Sequence, residues 1–294
     1  MKILFIGTVD FSFKILNALI NIEANIVGVC TKKSSSFNSD FFDLKPICDI
    51  NSIPCHYIDD INSKENIEWI NQLSPDIVFC FGWSSLLKKE LLNLAPMGVI
   101  GYHPSKLPKN RGRHPLVWAL ALGLKETAST FFFMDGGVDS GDIISQYKIE
   151  ITEQDDAQSL YVKIIDTATK QILEIIPDLN NGKYKRIQQK CSQANIWRKR
   201  TLEDGKIDWR MSAKQVHNLV RGLTHPYVGA HFVLKSKIYK VWKTKLIGCD
   251  TINNIEPGKV VKAHSQTLTV KCGEGCIEIH KVSPKIYVNV GDYL

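Results

Sequence analysis

The chain has 294 residues, of which 44% are hydrophobic and 23% are charged, with 19 glycines and 11 prolines. This composition is typical of a folded globular protein and excludes collagen-like, coiled-coil and disordered chains. No apolar run approaches the roughly 20 residues of a membrane-spanning helix, so no membrane partner is expected. The opening run MKILFIG lacks the long apolar region and cleavage site of a secretion signal, and we therefore expect a cytoplasmic protein.

The charges are distributed unevenly around a formal net charge of +7. Residues 1–181 carry a net charge of −6, residues 182–200 carry +7 and residues 201–294 carry +6. Because neutralisation of phosphates supplies most non-specific affinity for nucleic acids, such a basic stretch is consistent with an RNA partner. A solvated lysine-rich surface explains the same charges equally well.

Cysteine spacing gives no sign of a metal site. The eight cysteines form no CxxC pair, and Cys272 and Cys276 have no second pair of ligands nearby. Structural zinc sites combine two such pairs. The sequence therefore predicts reduced thiols and no bound metal.

The first part of the chain alternates short apolar runs with helical patterns. Strands are predicted at 2–7, 24–31, 53–58, 74–83, 98–103 and 129–135, and helices at 11–22, 63–73, 114–124 and 157–176. This alternation predicts an α/β fold with a doubly wound, parallel, Rossmann-like sheet. Gly7 is the only glycine at the first turn, so the GxGxxG fingerprint is missing and NAD or FAD is not expected.

The last part of the chain is typical of a small β domain. A helix at 213–223 precedes short alternating segments at 230–235, 237–243, 258–264, 267–272 and 276–282. Short strands at close spacing favour a small barrel. We therefore predict an α/β domain over 1–181, a basic linker over 182–211 and a barrel over 212–294, which could present a homodimer interface.

Two loops after predicted strands concentrate polar residues. The loop after the fifth strand begins at His103, and the loop after the sixth contains Asp139. Ligands of open α/β sheets bind beyond the carboxyl ends of strands, where these two side chains could meet and act as a general base and its carboxylate partner. A histidine satisfied within the fold and an aspartate that caps a turn are the structural alternatives.

Four stretches in order resemble the formyltransferases that use 10-formyltetrahydrofolate, a family that includes sugar N-formyltransferases and methionyl-tRNA formyltransferase. They are HPSKLPKNRGRHP (103–115), MDGGVDSGDI (134–143), KRTLEDGKIDW (199–209) and LVRGLTHPYVGAHF (219–232). The resemblance extends to EPGKVV (256–261) and CGEGCIEI (272–279), and it implies an OB-like terminal barrel.

The resemblance implies that an acceptor amine attacks the formyl carbonyl of the folate with the help of an Asn, a His and an Asp. The His corresponds to His103 and the Asp to Asp139, but Gly101 stands where the family has its Asn. One lost oxyanion donor costs ~2.7 to 4 kcal/mol in other enzymes, so a replacement is needed. The candidates are a backbone N–H near Gly101, a water, protonated His103, Asn110 and His114.

The resemblance also implies where ligands bind. The pterin is expected between the stretches 81–87 and 134–139, held mostly by backbone groups. The expected folate contacts are Phe81, Trp83, Ser84, Leu86, Met134, Asp135, Gly136 and Val138. For the acceptor we expect Lys109, Arg111 and Arg113 at a diphosphate and Phe11 along the crevice. A charged loop edge and a helix-core aromatic are the structural alternatives.

Two acceptors are compatible with the family. Members that act on tRNA carry a basic loop after the second strand, whereas residues 34–44 here include no Lys or Arg and two Asp. The stretches 109–118 and 199–209 are closer to sugar-acting members. We therefore expect a nucleotide-linked 4-amino-4,6-dideoxy sugar as acceptor, in surface polysaccharide biosynthesis. Methionyl-tRNA is the alternative acceptor, and a non-catalytic nucleotide-sugar or RNA-binding protein is the third interpretation.

Overall fold

The computed structural model of the protein describes residues 1–35, 39–248, 254–264 and 266–294. The chain divides into two compact units. Unit 1 contains residues 1–112, 127–149 and 162–197, and unit 2 contains residues 113–126, 150–161 and 198–294. The three-part division expected from the sequence stays a prediction, and these units assign residues 182–197 to the first unit.

Strands and helices alternate in the first half of the chain, and strands dominate the second. The strands are β1 Ile3–Ile6, β2 Ile26–Thr31, β3 Cys55–Tyr57, β4 Ile77–Cys80, β5 Val99–His103, β6 Arg111–Gly112, β7 Glu126–Phe133, β8 Ile143–Glu150, β9 Ile196–Trp197, β10 Ala230–Leu234, β11 Lys237–Ile247, β12 Val260–Ala263, β13 Leu268–Lys271 and β14 Cys276–Ser283. The helices are α1 Asp10–Asn21, α2 Lys45–Ile50, α3 Lys64–Leu73, α4 Lys89–Leu92, α5 Pro115–Ala121, α6 Ala157–Asn180 and α7 Ala213–Leu223.

The main sheet is mixed, with the strand order β3-β2-β1-β4-β5-β7-β8. The five strands from β1 to β5 pair in parallel, which confirms the predicted Rossmann-like α/β fold. β7 runs antiparallel to β5, with Gly101 opposite Phe132, so the expectation of a wholly parallel sheet is wrong at this edge. A fully buried strand has the same apolar sequence in either direction, and composition alone therefore does not reveal its orientation.

Close packing explains the single glycine at the first turn. A Cβ atom at Gly7 would lie 2.5 Å from the Cβ atom of Ser12. The Ser12 hydroxyl donates a 2.6 Å hydrogen bond to the carbonyl of Phe81, the residue directly after β4. Gly7 therefore has a role in packing, because it allows α1 to lie close to the β1 and β4 ends.

Unit 2 contains a five-stranded antiparallel sheet with the strand order β10-β11-β14-β13-β12, which corresponds to the small β domain expected from the sequence. Helix α7 packs on its core through residues such as Val216 and Val220. A capping box opens this helix, since Ser212 accepts from the N–H of Gln215 and Gln215 accepts from the N–H of Ser212. Such reciprocal bonds satisfy two donors that a helix start leaves unpaired.

The described cysteines are free thiols with one exception. The free cysteines are Cys30, Cys48, Cys55, Cys80, Cys191 and Cys272, whereas Cys276 is disulfide-bonded, and the expectation of reduced thiols is wrong there. The spacing of Cys276 from its neighbours in sequence gave no sign of this bond.

No cluster of three potential metal ligands occurs among the described residues. In the same part of the chain, no helix combines the length and apolar character needed to cross a bilayer.

Candidate active site

His103 ends β5 and is almost completely buried, with 5% of its surface exposed. Its Nε2 atom lies 2.8 Å from the backbone carbonyl oxygen of Asn110. A carbonyl oxygen only accepts hydrogen bonds, so this contact assigns a proton to Nε2. Nδ1 is therefore the nitrogen that can take up a further proton.

Asp139 lies on the other side of the same ring. Its Oδ2 atom is 3.6 Å from Nδ1 of His103 and accepts a 2.8 Å hydrogen bond from the N–H of Gly112. The Asp139 backbone is left-handed, with φ of 48°, and the tight turn brings its carboxylate toward the histidine. The two residues that the sequence analysis paired are thus neighbours in unit 1.

Side chains of β7 and β8 hold the loop that follows His103. Thr127 donates to the carbonyl of Pro104, and Thr130 donates to the carbonyl of Ser105. Gln146, on β8, donates to the carbonyl of Leu107. These bonds satisfy backbone groups that would otherwise be unpaired, so the loop has a defined path.

The loop that carries Asp139 is a compact turn. Asp135 accepts hydrogen bonds from the N–H of Gly137 and the hydroxyl of Ser140. A Cβ atom at Gly141 would lie 1.8 Å from the carbonyl oxygen of Phe133, so only glycine fits there. The glycine-rich sequence therefore builds the tight turn that carries Asp139.

This arrangement suits general base catalysis. When Nδ1 accepts a proton, the resulting imidazolium lies between the carbonyl of Asn110 and the carboxylate of Asp139. Both groups stabilise its positive charge, and the carboxylate also orients the ring. The pair can therefore take a proton from a nucleophile such as an amine.

Gly101 leaves no room for the asparagine that the family pattern has at this position. A Cβ atom at Gly101 would lie 2.8 Å from Cγ of Met134 and 3.1 Å from Cζ of Phe132. The Met134 side chain therefore occupies the space that a side chain at position 101 of β5 would need. Asn110, one proposed replacement donor, is adjacent to His103 through its carbonyl.

His114, another proposed donor, belongs to unit 2. Its Nδ1 atom accepts a 3.3 Å hydrogen bond from the N–H of Arg200. Burial lowers the pKa of His114, and the charges of Arg200 and Arg113 lower it further. His114 is therefore a neutral hydrogen-bond acceptor for the backbone N–H of Arg200, within unit 2.

The residues expected at the pterin differ in exposure. Leu86 is 74% exposed and Val138 is 46% exposed, and Phe81 is completely buried among aromatic rings. The indole Nε1 atom of Trp83 is buried without a hydrogen-bond partner among the described residues. Asp135 and Gly136 are exposed, and Ser84 and Met134 are partly buried. The backbone N–H and carbonyl of Phe81 are already hydrogen-bonded, to Ile6 and to Ser12, whereas Leu86, Val138 and Trp83 offer side chains.

The four residues expected at the acceptor differ in exposure, in their contacts and in the unit to which they belong. Lys109 is exposed, whereas Arg111 is buried and donates through Nε and Nη2 to Gln189. Arg113 belongs to unit 2. Phe11 is 4% exposed and stacks on Tyr102 at 4.3 Å, which is the helix-core alternative and not a crevice wall.

Sequence analysis missed Gln189, which is 6% exposed and donates to the backbone carbonyls of Asp139 and Gly141. It lies in the predicted linker, where no motif singled it out. Glutamine is common on surfaces, so its identity alone carries no signal.

A separate cavity of about 300 Å³ lies wholly within unit 2. Charged and aromatic side chains of α7, β11 and the segment 153–156 line it, among them His217, Arg221 and Trp242. Neither His103 nor Asp139 borders this cavity, so it is distinct from the site described above.

Comparison with known proteins gives matches over most of the chain. The formyl transferase model matches residues 1–176, and the formyl transferase C-terminal domain model matches residues 199–293. Among solved structures, an N-formyltransferase from Helicobacter canadensis in complex with folinic acid and dTDP-3-aminofucose has a TM-score of 0.74 and 17% identity, over 96% of this chain and 99% of that one.

Two further structures show the same fold. WlaRD, a sugar 3N-formyl transferase solved with dTDP and 5-N-formyl-THF, has a TM-score of 0.71 and 19% identity, over 97% of this chain and 99% of that one. HypX from Aquifex aeolicus has a TM-score of 0.68 and 17% identity, over 95% of this chain but only 43% of HypX. This chain therefore spans less than half the length of HypX. The two family models together match residues 1–176 and 199–293, well over half of the chain, and the chain belongs to the formyl transferase family.

Proposed function

We propose that the protein transfers a formyl group from 10-formyltetrahydrofolate to the amine of a nucleotide-linked amino sugar. The observation that carries this proposal is the His103–Asp139 pair, whose Nδ1 and Oδ2 atoms are 3.6 Å apart in a chain of the formyl transferase family. WlaRD, solved with dTDP and 5-N-formyl-THF, and the Helicobacter canadensis enzyme, solved with folinic acid and dTDP-3-aminofucose, support the same substrate classes. We keep a 4-amino-4,6-dideoxy sugar as the expected acceptor and a cytoplasmic location as a prediction.

The two loops fit a formyl-folate. Leu86 and Val138 expose apolar surface, and the indole N–H of Trp83 is buried without a partner among the described residues. A flat heterocycle with a polar edge would cover the apolar surface and supply an acceptor to this N–H. When bound, the folate supplies the formyl carbonyl to which the amine adds.

The catalytic work of this chain is then to move the amine proton. Nδ1 of His103 takes that proton, while Nε2–H stays bonded to the carbonyl of Asn110. The Asn110 carbonyl holds the ring through Nε2–H, and the Asp139 carboxylate stabilises the positive charge once Nδ1 is protonated. With Gly101 at the family Asn position, we assign the oxyanion to protonated His103 and the amide of Asn110.

Methionyl-tRNA is the second candidate acceptor, favoured by the seven basic residues between 182 and 200. Several of these charges already have intramolecular partners. Arg186 stacks on Phe133 at 3.6 Å, and Arg198 forms an ion pair with Asp204. Arg200 donates to the backbone carbonyl of Asp204. The basic stretch is therefore partly a set of internal contacts, which favours the sugar over tRNA.

The test is release of tetrahydrofolate from 10-formyltetrahydrofolate by the purified protein. The acceptors are dTDP- and UDP-linked 4-amino and 3-amino sugars, and methionyl-initiator tRNA in a parallel reaction. Turnover with a sugar nucleotide supports the proposal. Turnover with tRNA alone replaces it by the second candidate, and tight folate binding without any turnover replaces it by a non-catalytic binding protein.

A further inference from the structure

Residues 189–197, here called the linker segment, lie between the two matched family domains and are covered by neither model. The sequence suggests only a basic connection. In the structure the segment belongs to unit 1 and contacts both loops of the candidate site. Its contacts are hydrogen bonds of ordinary length made by Gln189, by Asn195 and by the backbone.

Gln189 joins the Asp139 loop to β6. Its Nε2 atom donates to the carbonyl of Asp139 at 2.9 Å and to the carbonyl of Gly141 at 2.7 Å. Its Oε1 atom accepts from Nε of Arg111 at 3.1 Å and from Nη2 at 2.7 Å. A carboxamide has two N–H donors and an oxygen with two lone pairs, so the side chain uses its whole capacity. It is 6% exposed, and water cannot readily replace these bonds.

The same segment holds the His103 loop. Asn195 accepts a 2.9 Å hydrogen bond from the N–H of Asn110, whose carbonyl binds Nε2 of His103. Arg111 donates through its backbone to the carbonyl of Asn195 at 3.1 Å, and β6 pairs with β9. The N–H of Gly112, at the end of β6, donates to the Asp139 carboxylate.

We propose that the linker segment aligns the catalytic pair and that Gln189 is a positioning residue for Asp139. This inference rests on the proposed roles of His103 and Asp139. Gln189 does not act on a reacting atom. It fixes the backbone at Asp139 and Gly141 relative to β6, and therefore fixes the carboxylate against the His103 ring.

The amide is specifically required, because one end must accept and the other must donate. In Gln189→Glu, one carboxylate oxygen still accepts from Arg111, and the new ion pair compensates part of the burial cost. The other carboxylate oxygen has no proton and faces the carbonyl oxygens of Asp139 and Gly141. These acceptors repel one another at the positions where the amide makes two hydrogen bonds. This variant keeps the Arg111 contact while it releases the Asp139 loop.

The experiment compares Gln189→Glu with Gln188→Glu in the full-length protein. Gln188 is the exposed neighbour in sequence, so this control makes the same chemical change without touching the loop. Gln189→Met, of similar volume and without charge, is the second variant in case a buried carboxylate prevents folding. Folding is checked by circular dichroism and thermal unfolding.

One measurement needs no substrate, namely the ¹⁵N NMR resonance of His103 Nδ1 at pH 7. It is identified as the signal that the His103→Gln variant lacks. The Asp139→Asn variant removes the negative charge beside Nδ1 and shows in which direction the resonance moves when that charge is lost. We expect Gln189→Glu and Gln189→Met to shift the resonance in that same direction and Gln188→Glu to leave it unchanged. In the formyl-transfer assay, kcat should fall about 10- to 100-fold with little change in KM, because a small misplacement of a catalytic group has this cost.

Different results would overturn the proposal. Folded Gln189 variants that match Gln188→Glu in resonance and in kcat would show that the loop needs no such alignment. Unfolding of both Gln189 variants would assign Gln189 to the fold and not to positioning. If the unsubstituted protein turns over no acceptor, the proposed function fails, and the His103 resonance still decides whether Gln189 aligns Asp139.

Discussion

The His103 ring lies between two hydrogen-bond acceptors, the carbonyl oxygen of Asn110 and the carboxylate of Asp139. Nε2–H donates to the carbonyl of Asn110, and Nδ1 faces the carboxylate of Asp139 at 3.6 Å. The carboxylate is itself fixed by the N–H of Gly112. A neutral ring leaves Nδ1 unprotonated next to a negative charge, and proton uptake turns this contact into an attraction. The geometry thus stabilises the protonated state that a general base reaches during the reaction.

Replacement of either member of the pair tests this interpretation. We expect His103→Gln and Asp139→Asn each to lower kcat by about 10² to 10⁴. Asn at position 139 retains an oxygen that can accept from Gly112, so the loop should stay in place. Asp166→Asn, an exposed change on α6, is the matched control. Formyl transfer is measured by tetrahydrofolate release, and near-normal turnover by both variants would contradict the assigned roles.

Met134 and Gly101 form a complementary pair at the site. A side chain at position 101 would collide with Met134, so Gly101→Asn should lower the free energy of unfolding by about 1 to 3 kcal/mol. Met134→Ala in the same chain should recover part of that loss, because it removes the colliding atoms. Denaturant unfolding of the single and double variants measures the coupling.

A glycine without neighbours provides the comparison for this prediction. A Cβ atom at Gly136 meets nothing within 4 Å, and Gly136→Asn should change the free energy of unfolding by only about 0.5 kcal/mol. If Gly101→Asn is no more destabilising than Gly136→Asn, then Met134 does not exclude an asparagine from the site.

The individual site residues differed in how far sequence could identify them. His103 and Asp139 stand at strand ends and within recognisable motifs, so their proximity could be predicted. Arg111 is expected at a diphosphate from the sequence, but its guanidinium is buried against Gln189. Contacts between residues 78 positions apart depend on the folded chain, and no local pattern encodes them.

At the level of elements, apolar periodicity located the long helices and the buried strands well. β8 was missed because its sequence IISQYKIE mixes apolar and polar residues and is only partly buried. β6 and β9 have two residues each and are too short for any periodicity. The direction of β7 was also wrong, since a buried strand next to β5 has no sequence mark of its orientation.

The start of α7 offers a test at this scale. Ser212 accepts from the N–H of Gln215 at 3.2 Å, and the helix packs on the core of unit 2. We expect Ser212→Ala to lower the free energy of unfolding by about 0.5 to 2 kcal/mol, the usual cost of a lost N-cap. Urea unfolding measures this loss. Ser192→Ala, an exposed change outside any capping box, should have no comparable effect, and equal losses would contradict the capping role.

Over the whole molecule, basic residues cluster in segments of the sequence, but several charged side chains form ion pairs in the folded chain. Glu153 forms ion pairs with Lys125 and Lys214, which lower its pKa to about 2. Arg198 holds the pKa of Asp204 well below its usual range. Basic segments read from a sequence therefore overstate the charge available to a nucleic acid.

Unit 2 also contains three histidines whose pKa values are lowered chiefly by burial, namely His114, His217 and His231. For His217 the pKa falls to about 4, with Arg221 and Lys214 contributing. In the unfolded chain a histidine has its ordinary pKa of about 6.5. Between these two values the unfolded state binds a proton that the folded state does not, and stability therefore rises with pH across this window.

Acidification should consequently destabilise unit 2 before the carboxylates begin to protonate. We expect the unfolding temperature to fall as the pH is lowered from about 6.5 toward 4, and His217→Gln to reduce the slope of that fall. Thermal unfolding between pH 4 and pH 7 measures both slopes. His264→Gln, which removes a histidine exposed to solvent, is the control. A slope in His217→Gln equal to that of the control would mean that burial of His217 in its neutral form does not contribute to the acid sensitivity of the fold.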